Sequence, residues 1–236
     1  MKLVAWNCQG AFRKKAGLIA EYAPDIAVIS ECEHPDRLRF DSGIKPPTAC
    51  LWFGDSPTKG IGIFSYTGVN LKLHRSYQPA IRYCIPIVAT GRLNLKLVAI
   101  WAMHHKNRQL SYVGQIYRAL EAYRRFIRQD ETILMGDWNS NTQWDTNSRI
   151  GNHSQVVAQL AVDHIVSVYH TYFQEAFGDE TVSTLYMQRK REKGYHVDYC
   201  FVPQAWIKRL TFFSVGSFEA WSSLSDHSPL FAEFRQ

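Results

Sequence analysis

The polar residues best able to do chemistry in this chain fall where apolar runs stop. Leu3-Val4-Ala5-Trp6 ends in Asn7, and Ile26-Ala27-Val28-Ile29-Ser30 ends in Glu31. Ile133-Leu134-Met135-Gly136 runs into Asp137-Trp138-Asn139. Asp198 is set inside the apolar segment 196–202, and Ser225-Asp226-His227 precedes a last apolar run over 229–234. A buried or half-buried carboxylate is costly unless it is paired or bound to a cation. One acid at a strand end is a turn former. Four acids and two amides, each at the edge of an apolar strand, describe a site.

The residue types say what such a site would hold. Oxygen donors without cysteine, with one or two carboxylates per ion, suit Mg²⁺ or Mn²⁺ rather than Zn²⁺. Mg²⁺ keeps several waters and usually sits with phosphate oxygens. Histidines beside it, His104 and His227, suit proton transfer and stabilisation of developing negative charge. The chemistry these parts support is metal-assisted phosphoester hydrolysis. The five cysteines, Cys8, Cys32, Cys50, Cys84 and Cys200, are scattered with no CxxC pair. They read as buried free thiols in a reducing compartment, and the spacing supports neither a zinc knuckle nor a redox motif.

Positioning these residues takes many short strands. Strand signals recur near 2–7, 25–30, 49–53, 60–66, 81–89, 94–103, 132–136, 196–202, 210–215 and 229–234. Helical spacing is clearest over 110–127, where Leu110, Val113, Ile116, Leu120, Tyr123 and Ile127 return at intervals of three and four. Shorter helices are expected over 12–22, closed before Pro24, and over 154–162 with Ser154 as N-cap. Few helices among many strands imply two packed mixed β-sheets flanked by helices in an α/β fold. No repeat or linker divides the 236 residues, so one domain over 1–236 is expected. No apolar run approaches the roughly 20 residues a membrane-spanning helix needs, and no signal-peptide core is present. A cytoplasmic monomer with no membrane or protein partner is the expectation. The net charge of +6 favours a polyanionic partner.

Trp6-Asn7, Ser30-Glu31-Cys32, Gly136-Asp137-Trp138-Asn139, Val197-Asp198-Tyr199 and Ser225-Asp226-His227-Ser228-Pro229 stand in the order of the endonuclease/exonuclease/phosphatase superfamily, which the chain resembles from residue 6 to residue 229. The resemblance implies a four-layered α/β sandwich of the deoxyribonuclease I type. It implies Glu31 as the principal Mg²⁺ ligand, Asn7 beside it holding the ion or its water, and Asp226 at or near the metal from the opposite side. By the same resemblance Asp137 orients and activates the attacking water, and Asn139 contacts the scissile phosphate with help from Asn141. His227 stabilises the pentacovalent phosphate, its ring oriented by Asp198. His104, taken over His105, is similar to a leaving-group histidine of deoxyribonuclease I, although the acid that supports that histidine has no counterpart near Arg82-Tyr83. Glu33 and Asp36 read as exposed loop residues.

The superfamily hosts several phosphoesters, so the substrate must come from the surroundings of the site. Arg13-Lys14-Lys15 follows the Asn7 strand, and Arg189-Lys190-Arg191 precedes the Asp198 strand, both placed to meet backbone phosphates. Tyr112, Trp144, Tyr195 and Trp221 lie near the motifs and can stack on bases. The expected substrate is DNA, cut as an endonuclease of low sequence specificity, ahead of RNA. The expected cofactor is Mg²⁺, with Mn²⁺ able to substitute. Two alternatives are a phosphatase or phosphodiesterase for a small phosphorylated metabolite and, more remotely, a non-catalytic nucleic-acid-binding protein.

Overall fold

The computed structural model describes residues 1–40, 43–128, 131–146 and 151–235. Along the chain its strands are β1 (Lys2–Asn7), β2 (Ile26–Cys32), β3 (Ala49–Ser56), β4 (Lys59–Ser65), β5 (Val69–Leu73), β6 (Cys84–Gly91), β7 (Leu95–Trp101), β8 (Thr132–Asp137), β9 (Ile165–Ser167), β10 (Leu185–Tyr186), β11 (Gly194–Tyr195), β12 (Asp198–Pro203), β13 (Leu210–Val215) and β14 (Leu230–Phe234). The helices are α1 (Ala16–Tyr22), α2 (Val113–Ala122), α3 (Arg124–Arg128), α4 (His153–Val162), α5 (Val168–Phe173) and α6 (Phe218–Trp221). Two six-stranded sheets form, in the orders β13-β14-β1-β2-β4-β3 and β5-β6-β7-β8-β12-β9, and β10 and β11 make a separate hairpin. Each large sheet is antiparallel except for one central parallel pair, β1 with β2 and β7 with β8.

Strand alternation explains the layering. Leu3 and Ala5 of β1, with Ile26 and Val28 of β2, share a core with Ile85, Ile87, Leu97, Ala99, Ile133 and Met135 of the second sheet. The residues between them, Val4, Trp6, Ala27 and Ile29, are buried on the opposite face beneath Ile19 and Ala20 of α1. On the far side, Val98, Ile100 and Leu134 pack against Ile116 and Leu120 of α2, Phe126 of α3 and Leu160 of α4. The order is helix, sheet, sheet, helix, the four-layered α/β sandwich expected. Strands covered on both faces read as unbroken apolar runs instead of alternating ones.

Local departures have local causes. The periodic segment 110–127 is two helices, because Tyr123 leaves helical geometry between α2 and α3. The segment 12–22 is a 3-10 turn over Phe12–Lys14 followed by α1. Asn152, not Ser154, caps α4, through a reciprocal capping box with Gln155. Glu33 is not exposed but buried, and it accepts from both the backbone N–H and the guanidinium of Arg13. All five cysteines are free thiols, and burial pushes Cys8, Cys84 and Cys200 up to about 12. Among the described residues no helix is long and apolar enough to cross a membrane.

Candidate active site

The polar strand ends converge at one edge of the sandwich. Asn7 closes β1 and Asp137 closes β8; Asp198 opens the antiparallel β12 and stands opposite Asp137 in register. In open α/β sheets the carboxyl ends of strands are the usual place for a ligand. Three unusual backbone positions aim the side chains. Glu31 has φ 59° and lies at a register shift between β2 and β4, a bulge that turns its side chain. Asn139 has φ 47° and Gly136 has φ 138°. Any Cβ at Gly136 would collide with the Ile100 carbonyl oxygen of β7.

Two connected groups result. In the buried one, Asp198 Oδ2 lies 2.8 Å from His227 Nδ1, which leaves Nε2 as the nitrogen this ring offers to the cleft it lines. Asp198 is held in turn by its own N–H and that of Val197, both donating to the buried Thr184 hydroxyl. Asp137 accepts from Asn7 Nδ2 at 2.9 Å, from Asn139 Nδ2 at 2.8 Å and from the Asn139 N–H at 3.0 Å. Burial pushes the Asp137 carboxyl up, and the Asp198 charge adds to this, against the opposing pull of His227 and the amide donors. For His227, burial alone would lower the pKa. The Asp198 and Asp137 carboxylates outweigh it and raise the imidazole to about 10, which favours the charged form of the ring.

The second group is the open one. A cleft of about 330 Å³ is lined by Asn7, Gln9, Glu31, Asn139, Asp226 and His227, among others. Glu31 accepts from Asn7 Nδ2 at 3.4 Å and pairs with Lys59 Nζ at 2.9 Å. Gln9 Oε1 accepts from Arg189 and from the Asp226 N–H, tying the first strand's exit to the last strand's entry.

Which residues can hold a divalent cation follows from these contacts. Asp137, Asp198 and His227 bring one donor atom each within 4.8 Å of one another, but all three are buried; Asp137 is engaged by amides and Asp198 Oδ2 by His227, while Asp198 Oδ1 has no hydrogen-bond partner. Glu31 and Asp226 fit better. Their oxygens face an open cleft, and Glu31 already carries a cation, the Lys59 ammonium. An all-oxygen donor set with two negative charges suits a hard ion such as Mg²⁺ or Mn²⁺.

Several expected roles are altered by position. Asn7 lines the cleft between the two carboxylates. Its Oδ1 accepts the Gln9 N–H, so its nitrogen bridges Asp137 and Glu31. Asn141 points inward, where its amide donates to Glu180, the His196 carbonyl and the Tyr199 hydroxyl, and it has no donor left for a phosphate. Lys15 gives its ammonium to the carbonyls of Cys8, Gly10 and Leu224 and is a strap beneath the cleft. Arg13 is spent on Glu33 and Arg191 on Glu219. Of the two basic clusters, Lys14 is exposed, and Arg189 reaches the cleft rim through Gln9. His104 is exposed outside the Glu31 cleft, edge-on to Tyr112 with ring centroids 6.1 Å apart. Trp221 packs on Trp6 at 5.1 Å, whereas Trp144, 45% exposed, lies beside Tyr195. Sequence reasoning missed Gln9, Thr184 and Lys59, because an amide, a hydroxyl or a lysine beside a strand end carries no spacing signal of its own.

The loop 137–141 rests on a buried polar layer. His153 Nδ1 meets the Ser140 hydroxyl at 2.9 Å, and the Tyr199 hydroxyl donates to the Ser140 carbonyl. Burial lowers His153 and His196 to about 4, and neither Nε2 has a hydrogen-bond partner that could accept a second proton. A buried histidine held neutral contributes stability that is complete above the unfolded value near 6.5 and is lost as pH falls toward 4. Each of the two is expected to cost on the order of 2 kcal/mol at pH 4.5. Urea unfolding at pH 7.5 and 4.5 measures this, and a His153→Asn variant should show a smaller difference between the two.

No family model and no curated protein matches the sequence. Solved structures do. A 3′–5′ exonuclease from Neisseria meningitidis, NExo, is 22% identical, with full coverage of both chains and a TM-score of 0.69. NExo described as a 3′ phosphatase bound to a product DNA hairpin is 20% identical at the same coverage and TM-score. An AP endonuclease from Archaeoglobus fulgidus is 15% identical, again over the whole of both chains, with a TM-score of 0.71.

Proposed function

We propose that this chain, which has the fold of the endonuclease/exonuclease/phosphatase superfamily, is a metal-dependent phosphodiesterase that hydrolyses the DNA backbone. The observation that carries the reading is the placing of a buried Asp198–His227 pair and an amide-held Asp137 directly against a cleft lined by Glu31 and Asp226. A proton acceptor, a fixed cation and a hard-metal donor set meet at one point, which is what in-line displacement at phosphorus requires.

Asp137 has the role of base. Three of its lone-pair positions are filled by amide donors, which fix the carboxylate and leave room for one water proton. The water oxygen attacks phosphorus, its proton passes to Asp137, and the bond to the leaving oxygen breaks with its electron pair on that oxygen, which takes a proton from solvent. His227, held by Asp198, presents its charged Nε2 side to the phosphoryl oxygens as negative charge gathers there. Asn139, its amide tied to Asp137 and to the Ala102 carbonyl, keeps the acid's orientation. Glu31 and Asp226 would hold a divalent cation, which when bound neutralises charge on the phosphate.

DNA as substrate is supported by the net charge of +6, by Arg189 at the cleft rim, and by neighbours described as an exonuclease and an AP endonuclease. Trp144 and Tyr195, with ring centroids 5.1 Å apart at the surface, offer a base-stacking contact. Supercoiled plasmid incubated with Mg²⁺ or Mn²⁺ is expected to be nicked. Chelation by EDTA should abolish nicking, and Glu31→Ala should reduce it at least a hundredfold. Nicking that persists in EDTA would overturn the metal reading; hydrolysis confined to phosphomonoesters would move the substrate away from the diester backbone.

A further inference from the structure

Glu31 is the carboxylate best placed for a metal, yet in the free chain both its oxygens are taken, one by an amide and one by a cation of the chain itself. Lys59 Nζ stands 2.9 Å from Glu31 Oε2. This contact is built into the sheet. Lys59 opens β4 and pairs with Ser56 across the turn; the next residue, Gly60, pairs with Cys32, and Glu31 is the bulged residue on the facing strand. The bulge that aims Glu31 therefore aims it along the strand end from which Lys59 projects. The Lys59 ammonium also lies 5.7 Å from the ring centroid of Trp101, the last residue of β7 in the other sheet. The lysine spans the two sheets at the edge where the candidate metal ligands meet.

We infer that Lys59 is a resident counter-cation of the Glu31 site, and that it must vacate the carboxylate for a divalent ion to bind. This rests on the reading of Glu31 as a metal ligand. A carboxylate oxygen binds Mg²⁺ at about 2.0–2.1 Å, so an ion on Glu31 Oε2 would lie within about 5 Å of an unmoved Nζ, and one on Oε1 farther by no more than the width of the carboxylate. One positive and two positive charges at that separation repel even in water. Loading the ion and releasing the ammonium are thus one event. The free chain keeps Glu31 neutralised and in place, at the expense of metal affinity. Loading leaves a tethered lysine at the cleft rim, in reach of an incoming phosphate. The pair is half exposed, so the expected effect is modest and sensitive to salt.

Calorimetric titration of the metal-free protein with Mn²⁺ and with Mg²⁺, without nucleic acid, tests this. Lys59→Met should bind the ion roughly fivefold more tightly, a gain that shrinks as ionic strength rises. Lys59→Arg, which keeps the charge, should bind as the wild type does. Glu31→Ala should lose the binding. If Lys59→Met, with an unchanged circular-dichroism spectrum and melting temperature, binds no more tightly while Glu31→Ala still loses the ion, the inference is overturned and the metal site stands. If Glu31→Ala binds as the wild type does, the metal reading fails and this inference with it.

Discussion

Asp137→Asn is expected to slow DNA cleavage by about 10²–10⁴-fold, the range in which a positioned general base contributes. The substitution removes the only acid in the cluster whose environment combines burial with three donors and a neighbouring imidazolium. It also reverses polarity at one atom. Oδ2 accepts from two amide nitrogens, and an asparagine nitrogen there would face two donors. Its oxygen can occupy only one of the two positions, so a few tenths to about 1.5 kcal/mol of stability should also be lost. Single-turnover cleavage with metal in excess separates the two effects, because it reads the chemical step on the folded fraction. A loss below tenfold would remove Asp137 from the role of base and direct attention to His227.

Gly136→Ala is expected to be the most damaging change to folding, with a cost above about 4 kcal/mol or no recovery of folded protein. The position has φ 138°, which side chains rarely adopt, and the added methyl would run into the carbonyl of Ile100 in the adjoining strand. Neither neighbour can yield cheaply. Ile100 is fully buried and paired in register with Gly136, in the middle of the second sheet. Because Asp137 follows directly, any relief of the collision would rotate the acid out of its amide cradle. Urea denaturation gives the magnitude, and a cost under 2 kcal/mol would mean that β7 and β8 can part more easily than their register implies.

Much of this arrangement was legible in the sequence, for a physical reason. The central strands are covered on both faces, so 2–7, 26–32 and 132–137 stand out as apolar runs, and a charged residue ending such a run must have a purpose. That logic found Glu31, Asp137, Asp198, Asp226 and His227, all of which the fold brings to one edge. It could not see partners supplied by side chains of ordinary type. Lys15 and Arg13 looked like phosphate contacts because a basic run on paper has no direction. In the fold, one strap and one ion pair absorb them, with the carbonyls of Cys8, Gly10 and Leu224 and the carboxylate of Glu33 as sinks. Asn141 was misread for the converse reason: two residues beyond Asn139 the chain has turned inward, and its amide serves Glu180 and Tyr199. Strands β5 and β9 and the β10–β11 hairpin were missed because they are short, at an edge or half exposed, and carry no continuous apolar signal.

The position of β14 has a consequence for the life of the molecule before it is finished. This strand inserts between β13 and β1, and the residues just upstream of it, Asp226 and His227, close a site whose first member is Asn7. Trp6 Nε1 donates to the His227 carbonyl, and the Ser225 hydroxyl donates to the Asn7 carbonyl, so the earliest and latest parts of the chain are sewn together at the cleft. A chain cut between residues 137 and 225 would keep Asp137 but lose His227, and with it both of these contacts to the first strand. On the proposed function, the first strand and the approach to the last must be joined before the candidate site is assembled.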